Sequence, residues 1–161
     1  YPSRGRQIMR PVHVSQHAYK ILNRAFLTGC YFWIYDLEEE NTFKYDSEMK
    51  EYLKNVIKLR ELWLEKFGKG VFRDDRGVIY AEDSITVKIY LLDNNDILLA
   101  LHNNNIQQEF KLVIDVNQRE VKECTVYQLG GEKINVNVKN ENGNAVIITK
   151  TDHLALIHLA F

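Results

Sequence analysis

At Gly70 the hydrophobic pattern changes period, and that change limits the folds open to this chain of 161 residues. Before it, Met49, Tyr52, Leu53, Val56, Ile57, Leu59, Trp63, Leu64 and Phe67 recur three and four residues apart, which predicts an amphipathic helix over 46–67. Asp46 is placed to cap it. Glu48 and Glu51 stand early and Lys66 and Lys69 late, as the helix dipole favours, and Gly68 and Gly70 end it. After Gly70 apolar residues alternate with polar ones. Strands are expected at 77–82, 84–92, 97–103, 107–115, 121–129, 133–139, 144–150 and 153–160. The breaks carry turn chemistry: Asp93-Asn94-Asn95-Asp96, Asn103-Asn104-Asn105, Asn117-Gln118, Gly130-Gly131 and Asn140-Glu141-Asn142-Gly143. Short strands at this spacing predict an antiparallel β-sandwich of about eight strands over 71–161.

The first 70 residues hold a different problem. Residues 1–14 are basic, with Pro2, Gly5 and Pro11, and read as loop. Ser15 is a candidate N-cap for a helix over 16–28 with an apolar stripe of Ala18, Tyr19, Leu22, Ala25 and Phe26, and Gly29 suits the C′ position. Then Cys30-Tyr31-Phe32-Trp33-Ile34-Tyr35 run without a polar residue. Such a run is too short for a helix and too apolar for an exposed strand, so it reads as a strand covered on both faces. A strand of that kind needs paired neighbours, because unpaired backbone groups in a dry interior are costly. Residues 1–70 offer none. The neighbours come from upstream strands of a parallel sheet, from the downstream β domain, or from a second copy of the chain.

Composition excludes little. Hydrophobic residues make up 45% and charged residues 27%, the ordinary globular range, and the net charge of −1 gives nucleic acid or an anionic membrane no electrostatic hold. Residues 1–70 carry 12 Lys/Arg against 9 Asp/Glu and the rest 9 against 13, which supports a boundary at Gly70. No apolar run reaches the length that spans a bilayer. Cys30 and Cys124 are expected to be buried free thiols, and their spacing leaves a disulfide between them open. The chain starts at Tyr1 without a basic-then-apolar leader, so its start reads as an internal cut, a processed end or a cloning boundary.

The string YFWIYDLEEENTFKYDSEMKEYLKNVIKLREL is similar to the last strand, loop and helix of glycosidase barrels of the α-amylase and α-galactosidase type. In those enzymes the final helix also runs into a Leu-Arg ending, here Leu59-Arg60, before a β-sandwich of about eight strands. ILLALHNNN, TVYQLGGEKINV and the closing HLALIHLAF resemble such a sandwich too. The resemblance covers roughly 15–161. It implies an α+β chain in which residues 1–70 are the last strand and helices of an α/β barrel and 71–161 the C-terminal sandwich that stabilises it. The implied activity is hydrolysis of O-glycosidic bonds, with the catalytic carboxylates on absent upstream strands.

Several residues then acquire two readings. Trp33, Tyr35 and Asp36 occupy the C-terminal end of the apolar strand, the end that faces the active site of a barrel, and are the candidate substrate-binding residues. An aromatic face stacks on a sugar ring and a carboxylate accepts from its hydroxyls; the competing reading is core packing and a turn bond. Asp36, Glu38, Glu39 and Glu40 share one loop, whereas glycosidases need two carboxyl groups across the scissile bond, so none is assigned as catalytic. Glu38-Glu39-Glu40 reads as a solvated loop.

His13 and His17 have metal-like spacing but no third ligand. Asp74-Asp75 with Glu82-Asp83 lack the spacing of a calcium loop. His102, His153 and His158 are read as structural, and no metal or cofactor is expected. The expected partners are carbohydrate, and either the upstream part of the same polypeptide or a second copy of the chain. Two alternatives stand beside the enzyme. One is a non-catalytic β-sandwich module that binds carbohydrate or protein; the other is an assembly protein that completes its sheet with a neighbour.

Overall fold

The computed structural model describes residues 16–30, 47–106 and 108–161. Helix α1 is Gln16–Leu27 and helix α2 is Ser47–Phe67, so the expected caps Ser15 and Asp46 lie outside the described residues. The end of α1 follows from Gly29. At φ +67° it takes a left-handed turn in which its N–H donates to Phe26 O (3.0 Å) and the N–H of Cys30 donates to Ala25 O (3.0 Å). That double closure is a Schellman motif, and glycine permits it. Cys30 is therefore the exposed residue that finishes a helix cap, which corrects the expectation of a buried thiol there. Residues 31–35, the rest of the apolar run, lie outside the described residues.

Ten antiparallel strands follow: β1 (Val71–Asp74), β2 (Val78–Ala81), β3 (Ile85–Leu91), β4 (Ile97–Asn103), β5 (Phe110–Asp115), β6 (Glu123–Gln128), β7 (Lys133–Asn135), β8 (Val138–Glu141), β9 (Asn144–Thr149) and β10 (Leu154–Ala160). They form a first sheet in the order β1-β3-β4-β10-β6-β7 and a second in the order β2-β5-β9-β8. The α+β class and the two-sheet sandwich are as the sequence predicts, with ten strands where about eight are expected. Residues 71–74 add an edge strand. The expected strand 133–139 divides between the two sheets, as β7 and β8.

The first sheet is covered on both faces, so its strands are apolar in both phases of the alternation. In β4, Ile97, Leu99 and Leu101 point at the second sheet, while Leu98 and Ala100 point at the helices. β10 divides in the same way, with Ala155, Ile157 and Leu159 on one side and Leu154 and Leu156 on the other. Two cores result. The inner one lies between the sheets and is almost wholly aliphatic, joining these residues to Phe110, Leu112, Ile114, Ala145 and Ile147. The outer one lies under the helices and is built from Leu22, Phe26, Leu27, Met49, Val56, Leu59 and Trp63 against Tyr90, Tyr127 and the outward residues of β4 and β10.

Candidate functional site

The candidate substrate-binding residues Trp33, Tyr35 and Asp36 lie outside the described residues, as do His13 and Glu38–Glu40. Among the described residues no group of three or more His, Cys, Asp or Glu gathers as metal ligands would. Polar side chains do gather under the helices, in two clamps that the sequence pattern did not reveal.

The first clamp joins both helices to the first sheet. Asn23, buried on α1, donates from Nδ2 to His102 Nε2 on β4 (3.0 Å) and accepts at Oδ1 from the Tyr52 hydroxyl of α2 (2.6 Å). The bond order fixes the imidazole: Nε2 accepts, so the ring proton sits on Nδ1. Burial, with His153 nearby as a smaller cause, holds the His102 pKa below the usual histidine value, so the ring is neutral at neutral pH. Burial also pushes the Tyr52 phenol far above the usual tyrosine range, against the smaller opposing pull of its bond to Asn23. Tyr19 packs edge-on against Tyr52 at 4.9 Å between ring centres. A neutral imidazole and a phenol that keeps its proton, both already hydrogen-bonded, make a fastener and not an acid–base pair.

The second clamp satisfies the carbonyls that the end of α1 leaves unbonded. The Tyr90 hydroxyl of β3 donates to Leu27 O (2.8 Å), and Arg60 Nη2 of α2 donates to Gly29 O (2.7 Å). The Arg60 guanidinium lies over the Trp63 ring at 4.1 Å, and Trp63, fully buried, meets Phe26 and Tyr90 edge-on at 5.6 and 4.6 Å. Arg60 of the Leu-Arg ending thus ties one helix to the next. Farther along α2, Phe67 packs on Tyr127 and on His158, and Lys66 hydrogen-bonds the Tyr127 hydroxyl. His158 Nε2 is 2.9 Å from Asp96 Oδ2, and Asp96 also accepts from Asn94 Nδ2 and from the Phe161 N–H. The third β-domain histidine, His153, has Nδ1 3.4 Å from Asn103 O and its ring 6.5 Å from that of Tyr52.

Together the contacts give the helices a direction. Tyr19 and Asn23 meet Tyr52, whereas Phe26 and Gly29 meet Trp63 and Arg60. Position advances along both helices at once, so α1 and α2 run the same way, side by side on the sheet.

A different arrangement lies at one end of the second sheet. There the β2–β3 and β4–β5 connections border a hollow of about 440 Å3 lined by Tyr80, Glu82, Asp83, Ser84, Asn105 and Gln108. Tyr80 is 48% exposed.

No family model matches the chain, and no curated protein matches it. Among solved structures, an alpha-amylase from Anoxybacillus, described as pointing to a new glycosyl hydrolase subclass, aligns with 20% identity and a TM-score of 0.44. The alignment covers 73% of this chain, which spans 24% of that structure's length.

Proposed function

We propose that this chain is the C-terminal portion of a glycosidase that hydrolyses O-glycosidic bonds. In this reading residues 1–70 supply the closing strand and helices of an α/β barrel, and 71–161 are the sandwich that stabilises it. The carrying observation is the common direction of α1 and α2. Neighbouring helices joined by a short connection are antiparallel; helices that run together need a return segment between them. The stretch of α2 from Ser47 to Arg60 rises about 20 Å at 1.5 Å per residue. Six extended residues cover about 20 Å. With Cys30 spent on the cap of α1, the apolar residues 31–35 and the Asp36 that follows are of about the right length for a barrel strand that carries the chain back from the end of α1 toward the start of α2.

The rest follows from barrel chemistry. At the C-terminal end of that strand Trp33 and Tyr35 stack on sugar rings and Asp36 accepts hydrogen bonds from sugar hydroxyls. The nucleophile and the acid/base sit on upstream strands, as two carboxyl groups about 5–5.5 Å apart for retention or about 6.5–9.5 Å apart for inversion. In this reading the task of the sandwich is to hold the last helices in place, and the two clamps support it.

The coding sequence upstream of Tyr1 is the direct test. Several strand–helix units, with carboxylates at strand ends, are expected. A translation start within a few codons of Tyr1 sinks the proposal. A functional arm accompanies it: residues 1–161 alone leave aryl glycosides intact while the longer polypeptide cleaves them, and Asp36→Asn raises KM there.

A further inference from the structure

We infer that the hollow beside Tyr80 is a second, non-catalytic sugar-binding site that holds a neutral oligosaccharide on the sandwich itself. It deepens the carbohydrate reading above, yet its case rests on its own lining and it stands or falls separately.

The lining combines one aromatic side chain with several polar ones. Tyr80 lies on β2, the edge strand of the second sheet, where the register places it opposite Val113 on the outer face. Ile79 beside it is 60% exposed. An exposed aromatic side chain on a sheet edge suits the apolar face of a pyranose, which is a C–H surface that packs on a π-face. Around it stand Asp83, Asn105 and Gln108, whose side chains make no hydrogen bond to another described residue. Two primary amides offer donors and acceptors together, and a carboxylate accepts; that mixture matches hydroxyl groups, which donate and accept in turn. Among the described residues the lining holds Glu82 and Asp83 and no cationic side chain, which opposes phosphate, sulfate or uronate ligands.

The hollow is also pre-organised, which lowers the ordering cost of binding. Its two walls are laced to each other: the Asn104 N–H and Asn104 Nδ2 both donate to Ser84 O (2.9 and 3.3 Å). Glu82 closes the near wall, its carbonyl accepting from the Ile85 N–H at 2.8 Å and its Oε1 from the Lys111 N–H at 2.9 Å. Asn103 Oδ1 accepts from the Asn105 N–H (2.8 Å) and sets the turn that presents the Asn105 amide. With one carboxylate already engaged, the pair Glu82 and Asp83 falls well short of the six to eight oxygens that calcium takes.

The test is an amide-resolved NMR titration of the 161-residue chain with maltoheptaose and, separately, with cellohexaose. Saturable shifts confined to residues 79–84 and 104–109 are expected with at least one of them. Tyr80→Ala should weaken binding about tenfold, the scale of one lost stacking contact, while Tyr80→Phe keeps it. The double change Asn105→Ala and Gln108→Ala should weaken it too, with the spectrum otherwise unchanged. The proposal is overturned if neither sugar gives saturable shifts, or if the shifts map elsewhere. It is also overturned if Tyr80→Ala binds as tightly as the parent, or if calcium alone moves the same amides. None of these outcomes bears on the barrel, which is decided by the sequence upstream of Tyr1.

Discussion

The two faces of the first sheet are held by different means. Toward the second sheet the contact is mostly aliphatic, with buried polar side chains such as Asn103 and Thr149 at its ends. Toward the helices the contact is aromatic and addressed: Asn23, Tyr52, His102, Tyr90 and Arg60 each meet a particular atom. Aliphatic packing tolerates rearrangement as long as volume is kept. Hydrogen-bonded rings and carbonyls fix one orientation, because a misplaced buried polar group is left unpaired. The inner core makes the sandwich stable; the outer core decides where the helices lie.

Substitutions can break that division. Trp63→Ala removes the fully buried ring at the centre of the outer core and should cost about 3–5 kcal/mol. Its signature is local: amide exchange accelerates in α1 and α2 while β5 and β9 stay protected. If β5 and β9 lose protection in parallel, the two cores are one cooperative unit and the comparison fails. Leu112→Ala in the inner core should cost about 2–5 kcal/mol, and the loss should appear across both sheets in a single denaturation transition.

Tyr52→Phe is subtler. It keeps the ring and leaves Asn23 Oδ1 buried without its donor, a cost of about 1–3 kcal/mol read from the urea midpoint. An unchanged midpoint would mean that the clamp positions without stabilising.

Acid sharpens the contrast further. The His102 pKa is lower in the folded chain than its unfolded value of 6.5, so the unfolded state binds the extra proton first. Its contribution to stability is complete above pH 6.5 and is lost as pH falls toward the folded value. Urea midpoints at pH 7.5 and 5.5 should differ more for the parent than for His102→Gln; equal differences would remove His102 from the account. The smallest effect is one of rate alone. Burial in the inner core, with Glu123 adding to it, pushes the Cys124 thiol up to about 12, whereas Cys30 is exposed. One thiol should label with a maleimide in the native chain and the second only with global unfolding. Rapid double labelling would show the inner core to be open.

Much of this fold was legible because local chemistry and tertiary demand agreed. The stripe over 46–67 was strong enough to give α2 to within a residue, and Gly29 announced the cap of α1. The Asn142-Gly143 turn, with φ of 51° and 80°, joins β8 to β9 as that dipeptide predicts for a two-residue hairpin. Legibility ended where alternation continued through a change of partner. Ile134, Val136 and Val138 all pack on the inner core at period two, so nothing in the pattern marks the crossing from one sheet to the other. β1 escaped because all four of its residues are exposed and carry no buried face to detect. The clamps were invisible for another reason. Asn23, Tyr52 and His102 are far apart in sequence, and a single chain does not reveal which polar residues meet. Trp33, Tyr35 and Asp36 rest on the barrel reading alone.

β10 occupies the middle of the first sheet, paired with β4 on one side and β6 on the other. Until Leu154–Ala160 has left the ribosome, β4 and β6 each present an open edge, and both cores lack a wall. The sandwich therefore cannot assemble progressively as its strands emerge. It waits, with aliphatic strands uncovered, for β10 to arrive and close the sheet like a keystone. A stop before Leu154 would therefore take a wall from both cores at once.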